Sequence, residues 1–285
     1  GPPAFLLAGC AAGGGGSEAG SSDAITVALA ADPGDLNPIT NATEAGQILS
    51  SYTYETLVSF EAGQEPQGAL AEEWTESTTE VSFTLKDGIA CSDGTPPSAS
   101  VVKASFEYAG LEETGSPFKG VYFPASGLSI AADDDARTVT FTSEQPQSFL
   151  LATIGLMPVV CAAGVEDPSA LSDGTIGTGP YTLADSSPGQ SYTFELRDDY
   201  EWGPGDVTSE TEGLPATVTL EVVESESTIA NMLQADDVQV GIVAGPDRDR
   251  LHAAGLGSLN VPTRPGQIVF NQAGGRATND VGGRP

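Results

Sequence analysis

The sequence predicts a mixed α/β protein of the α+β kind. Short runs with period-two alternation recur between segments whose apolar residues fall at helical spacing. The 35 glycines and 20 prolines supply turn chemistry that suits many short strands better than long helices. No segment repeats at a fixed period. A hydrophobic fraction of 39%, with 10 Phe, 7 Tyr and 2 Trp, is enough for real cores, which argues against global disorder. A length of 285 residues allows about two domains.

Taken in order, Ala24 to Ala30 form a β-branched run closed by Asp32-Pro33-Gly34, a strand followed by a turn. Ile48, Tyr52, Glu55 and Leu57-Val58 lie near helical spacing and predict a helix over 44–58. Val81 to Leu85 alternate as a strand and turn at Lys86-Asp87-Gly88, and Ser92 to Pro97 make a second tight turn. Ser98 or Ser100 can cap a helix through Val101, Val102, Ser105, Phe106 and Tyr108. Strands are predicted over 137–142, 192–196 and 216–222. A helix over 224–234 carries Ile229, Met232 and Leu233 on one face. Residues 238–242 return as a strand, Pro246 opens a short helix through Leu251, and 267–271 form the last strand.

Charge excludes several partners. Ten Lys and Arg stand against forty Asp and Glu, a net charge of −30, spread along the chain rather than gathered in a tail. Such a field repels phosphate backbones and anionic bilayers, so nucleic acid is not an expected partner. It suits either cationic or zwitterionic ligands or, more simply, a solubilising surface for an extracellular or salty setting.

The first twenty-two residues read as an address and a tether. An apolar run from Pro3 to Gly9 ends at Cys10, and a Gly/Ser-rich tract follows to Ser22. Leu7-Ala8-Gly9-Cys10 resembles a bacterial lipobox, which implies cleavage before Cys10 and a lipid on its thiol; an ordinary signal peptide is the alternative. Lipidation would leave Cys91 and Cys161 as a pair. Outside the cytosol such a pair tends to oxidise, so a Cys91–Cys161 disulfide is expected, with two free buried thiols as the alternative. The single histidine, His252, is remote in sequence from both, and no Cys/His metal spacing exists.

A series of phrases then falls in one order: Asp35-Leu36-Asn37-Pro38, Tyr54-Glu55-Thr56-Leu57-Val58, Pro66 to Trp74, Phe83 to Ile89 with Cys91 to Pro96, Gly177-Thr178-Gly179-Pro180-Tyr181, Arg197 to Gly203, and Phe270-Asn271. Each is weak alone. In this order they resemble the family 5 extracellular solute-binding proteins, which include dipeptide-, oligopeptide- and nickel-binding members. Cys91 departs from that pattern, where an aromatic or apolar residue is usual.

The resemblance implies a periplasmic-binding-protein-like bilobal fold that is truncated here before most of its C-terminal domain. Residues 1–22 would be signal remnant and tether, 23–60 plus 170–268 a domain I, 61–169 a domain II inserted in it, and 269–285 the start of a domain III. It also implies a non-enzymatic, monomeric protein, exported and anchored through Cys10 to the outer face of the cell membrane. Such a protein would bind a small peptide between its lobes and deliver it to ABC permease subunits.

The candidate ligand contacts are Thr40, Asn41, Tyr122, Thr178 and Tyr181. No cofactor, metal site or catalytic residue is predicted, and no phosphate-cradling Gly-rich Lys motif is present. Other readings are a binding protein of the same class for nickel chelates, oligosaccharides or another small solute. A cell-surface adhesion module and a secreted acid hydrolase are readings of different classes. Forty acids always offer some carboxylate pair, so their abundance gives the hydrolase no support.

Overall fold

The fold was analysed in a computed structural model that describes residues 24–60, 65–122, 124 and 127–258. Cys10, the tether and the strand expected at 267–271 lie outside the described residues.

In strand β1 (Ala24–Leu29) the second half, Val27 to Leu29, is buried on both faces, while Ala24 is exposed. Val27 and Leu29 pack on one side with α1 (Glu44–Thr53), and Ala28 packs on the other with Ile229 of α5 (Glu226–Ala235). Period-two alternation therefore serves two cores from a single strand. β1 pairs in parallel with β10 (Thr217–Val222), Ala24 opposite Thr217, and with β11 (Val240–Gly241). β10 pairs antiparallel with β9 (Ser191–Leu196), and β9 with β8 (Tyr181–Ser187). The order is β11-β1-β10-β9-β8.

A second sheet has the order β4-β5-β7-β6, all antiparallel, built from β4 (Ala71–Glu76), β5 (Glu80–Leu85), β6 (Leu128–Asp133) and β7 (Thr138–Ser143). Its inner face joins α2 (Ala99–Gly110) and α3 (Leu150–Gly155) in the largest core, where Phe106 and Phe141 have ring centroids 4.6 Å apart. A two-stranded ribbon, β2 (Val58–Ser59) with β3 (Gln67–Gly68), stands where the chain leaves α1 for this sheet. Helix α4 (Ala162–Glu166) leads back toward β8. Residues up to 244 form one compact unit; in the other, α6 (Gly245–Ala253) carries an Arg250–Asp247 ion pair at 3.1 Å.

The helices begin where their caps place them. Thr43, Ser98 and Ser225 accept from the amides of Gly46, Val101 and Thr228, so α1, α2 and α5 each start one residue later. Helix α1 is shorter than its periodicity predicts and stops at Thr53, with Tyr54 extended at φ −128°. The carbonyls of Thr56 and Leu57 accept instead from Leu70, Ala69 and Ala71, so inter-segment pairing replaces the last helical turn. β11 spans two residues rather than five. β4 and β6 were not legible: a register shift between Ala71 and Glu73 breaks the period-two pattern of the acidic β4.

Candidate functional site

The loop between β1 and α1 is braced by its own side chains. Asp32 accepts from the amide of Gly34 at 2.6 Å and from the Tyr192 hydroxyl at 3.1 Å. Asp35 accepts from the Asn37 amide at 3.2 Å and from Thr40 Oγ1 at 2.8 Å. Asn41 is buried, and its Nδ2 donates to the carbonyls of Pro33, at 2.8 Å, and Asp35. Asn41 Oδ1 accepts from Thr43 N at 2.9 Å and Thr43 Oγ1 at 2.7 Å. Every polar atom of the Asn41 side chain thus has an internal partner, whereas Thr40 is half-buried at the surface of the loop.

This loop is also tied to its neighbours. Leu36 N donates to Ser172 O at 3.0 Å, Asn37 Nδ2 to the Tyr108 hydroxyl at 2.8 Å, and Ser116 Oγ to Ile39 O at 2.7 Å. The last bond brings the Tyr122 segment to the loop, because Tyr122 N donates to Phe118 O at 2.9 Å and the two rings lie 5.1 Å apart. Tyr122 is half-buried, and burial raises its hydroxyl pKa.

Thr178 and Tyr181 flank the Gly179-Pro180 turn. Gly179 N donates to Thr53 O at 3.0 Å, and a Cβ there would fall 2.4 Å from the Thr53 carbonyl carbon, so only glycine lets the turn press on the end of α1. Thr178 is fully buried; its carbonyl accepts from Trp202 Nε1 at 2.9 Å, while its Oγ1 has no hydrogen-bond partner. The Tyr181 hydroxyl donates to Pro215 O at 2.9 Å, its ring meets Tyr52 edge-on at 5.7 Å, and burial pushes its pKa up to about 12. Between the segment 170–176 and β8 lies a shallow polar depression of about 510 Å³ lined by Ser92, Asp173, Thr175, Thr182 and Asp185.

Of the five candidates, the structure brings Thr40 and Asn41 into one loop and reaches Tyr122 through Ser116. Thr178 and Tyr181 sit on a separate turn, against the far end of α1. Among the described residues, no three His, Cys, Asp or Glu side chains gather as a metal-binding set.

Sequence reasoning assigned no role to the cations that join the two sheets. The buried Arg197 donates to the carbonyls of Ala90 and Cys91, each at 3.0 Å, and pairs with both carboxylate oxygens of Asp199 at 2.9 Å. The half-buried Lys86 donates from Nζ to Gly68 O at 3.1 Å, Trp202 O at 2.9 Å and Gly203 O at 3.4 Å, and burial lowers its pKa. Beside them, the sulfurs of Cys91 and Cys161 lie at bonding distance, 2.02 Å. In a chain with ten Lys and Arg, a cation inside an aromatic phrase such as Arg197 to Trp202 was the available signal.

Comparison with known proteins gives this geometry its context. Residues 65–282 match the family described as bacterial extracellular solute-binding proteins, family 5 Middle. The chain is 29% identical over 237 residues to the probable D,D-dipeptide-binding periplasmic protein DdpA of Escherichia coli K12, covering 76% of this chain and 44% of that protein. It is 27% identical over 222 residues to the dipeptide-binding protein DppE of Bacillus subtilis, covering 69% and 38%. A substrate-binding protein from Microbacterium hydrocarbonoxydans, solved with 4-hydroxybenzoate hydrazide, superposes with a TM-score of 0.71 at 31% identity, over 80% of this chain and 48% of that one. The chain spans less than half the length of each of these relatives. With more than half of its residues inside the family match and its fold shared with a solved relative, the chain belongs to the family 5 bacterial extracellular solute-binding proteins.

Proposed function

We propose that this chain is part of the substrate-binding lipoprotein of an ABC importer. The complete protein takes a small peptide into a cleft between lobes and hands it to the membrane permease. The observation that carries this reading is the braced loop between β1 and α1. Asn41 fixes its main chain from within while Asn37 and Ser116 bind it to helix α2 and the segment that follows, leaving Thr40 at its surface. A preformed edge of this kind lowers the ordering cost of gripping a ligand backbone. Relatives described as dipeptide-binding support the ligand class.

In this reading residues 23–60 and 170–268 make one lobe and 61–169 the other, with Thr40, Asn41, Tyr122, Thr178 and Tyr181 near the cleft. Asn41 and Tyr181 serve it by shaping main chain, since their polar atoms are already engaged. The protein acts as a monomer without catalysis, tethered through a lipid on Cys10 at the outer face of the membrane. Among the described residues, no helix is long and apolar enough to cross a membrane.

A second reading is an aromatic acyl hydrazide or related small solute, favoured by the ligand of the Microbacterium hydrocarbonoxydans protein. The test is a thermal-shift screen of the full-length mature protein against di- to pentapeptides and 4-hydroxybenzoate hydrazide. A ligand that prefers the folded state raises the midpoint. A rise with peptides alone supports the first reading, a rise with the hydrazide alone supports the second, and silence across both sets removes both.

A further inference from the structure

Where the chain passes from α1 into the second sheet, Glu55 is partly buried and accepts a hydrogen bond from the hydroxyl of Tyr200, which is itself fully buried. That one contact links two sets of main-chain bonds. Val159 N donates to Glu55 O at 3.0 Å, Ser209 N donates to Tyr200 O at 2.7 Å, and Gly203 N donates to Val207 O at 3.0 Å. Lys86 stands beside the pair, its ammonium held by the carbonyls of Gly68, Trp202 and Gly203. Three segments distant in sequence therefore meet at a carboxyl group that lies largely out of water, with no counterion bonded to it directly.

We propose that Glu55 and Tyr200 form a proton-linked clasp across the junction of the two sheets, closed while Glu55 carries its proton and loosened once it ionises. The device is independent of which solute the complete protein binds. Burial is the dominant influence on Glu55 and pushes its carboxyl up to about 7, against the opposing pull of the Tyr200 hydroxyl, the Lys86 charge and the Thr56 amide. Lys86 does not neutralise Glu55 alone, because it also faces Asp206 and Glu72. Tyr200, which also faces Arg197, is raised far above the neutral range and so remains a hydrogen-bond donor throughout.

The sign follows from linkage. A carboxyl whose pKa is higher in the closed form than in the opened, hydrated form binds more protons when closed. Closure is then favoured in acid, weakens as pH rises from the ordinary glutamate value, 4.5, to about 7, and changes little above that. A protein exported from the cell meets this whole range, so the junction would stiffen in acid surroundings and relax in neutral ones.

The test is amide hydrogen exchange of the 285-residue chain and its Glu55→Gln variant at pH 5, 6, 7 and 8, corrected for intrinsic rates. The readouts are Val159, Gly203 and Ser209, whose amides lie on the two sides of the contact. In the native chain, opening should increase at least about tenfold between pH 5 and 7 and level off by pH 8. The variant, which keeps an acceptor for Tyr200 but cannot ionise, should stay flat. An equal rise in both proteins, or none in the native chain, overturns the proposal. Should the variant fail to fold, carboxyl-labelled glutamate in the native chain decides by NMR. One carboxyl titrating near pH 7 upholds the clasp, and no glutamate titrating above pH 6 refutes it.

Discussion

The Arg197 guanidinium lies 5.1 Å above the ring of Trp202, whose indole nitrogen donates to Thr178 O at 2.9 Å. One cation thus holds the strand-to-strand connection after β9 against the turn that leads into β8. Its remaining donors satisfy the Ala90 and Cys91 carbonyls, so a single side chain joins elements far apart in sequence. Lysine cannot reproduce this planar fork. Arg197→Lys should therefore destabilise the chain by about 2–3 kcal/mol, measured by urea unfolding. A midpoint equal to that of the native chain would show the network to be passive.

The Cys91–Cys161 bridge spans 70 residues of sequence. Closing a loop of that size restricts the unfolded chain by about 4 kcal/mol in the chain-entropy account. Replacing both cysteines by alanine should lower the unfolding free energy by a comparable amount, less whatever strain is relieved. Thiol titration of the denatured, unreduced chain over residues 23 onward should find no free sulfhydryl; two per molecule would refute the bridge.

Gly177 and Gly179 are needed for space rather than for unusual backbone angles. A Cβ on Gly177 would sit 2.3 Å from Thr53 O and 2.4 Å from the Tyr54 ring. Gly177→Ala and Gly179→Ala should each cost roughly 2–3 kcal/mol as the end of α1 is pushed away. Gly110, the last residue of α2, meets nothing within 4 Å, and its change to alanine should be neutral or slightly stabilising. Thermal unfolding of the three variants side by side checks both halves of the expectation.

Acid unfolding should depend on different groups from those that act near neutrality. The hydrogen bond from Arg197 holds the Asp199 carboxyl below its ordinary value, and the Ser100 amide does the same for Asp134 at the start of α2. A depressed carboxyl contributes stability above its unfolded-state pKa, and that contribution is lost as pH falls through the folded value. Asp134→Asn should therefore shrink the stability difference between pH 6 and pH 2.5, as read by circular dichroism. An unchanged difference would deny Asp134 that role.

A net charge of −30 should make the fold sensitive to salt. Repulsion among forty acids is screened within about 3 Å at 1 M ionic strength, against about 10 Å at 0.1 M. The melting midpoint should rise by several degrees between low salt and 1 M NaCl. A flat or falling midpoint would show that the acidic surface is already balanced by its own geometry.

Much of this architecture was written in local pattern. A β-branched run marked β1, period-two runs marked β5, β7, β9 and β10, and Ser98 or Ser100 marked the start of α2, because strand faces and caps depend on neighbours in sequence. The order of phrases from Asp35 to Gly203 carried the family. Tertiary structure decided what pairing over distance decides. Helix α1 stops at Thr53 because Leu57 and Thr56 find partners near Ala69, β4 forms despite its acids because β5 lies alongside, and Asn41 turned inward to brace its own loop. The placing of Lys86, Arg197 and Glu55 at one junction belongs to the same class. A buried charge is tolerable only where the fold gathers its partners, and those partners lie on segments up to 145 residues away, beyond the reach of any local pattern.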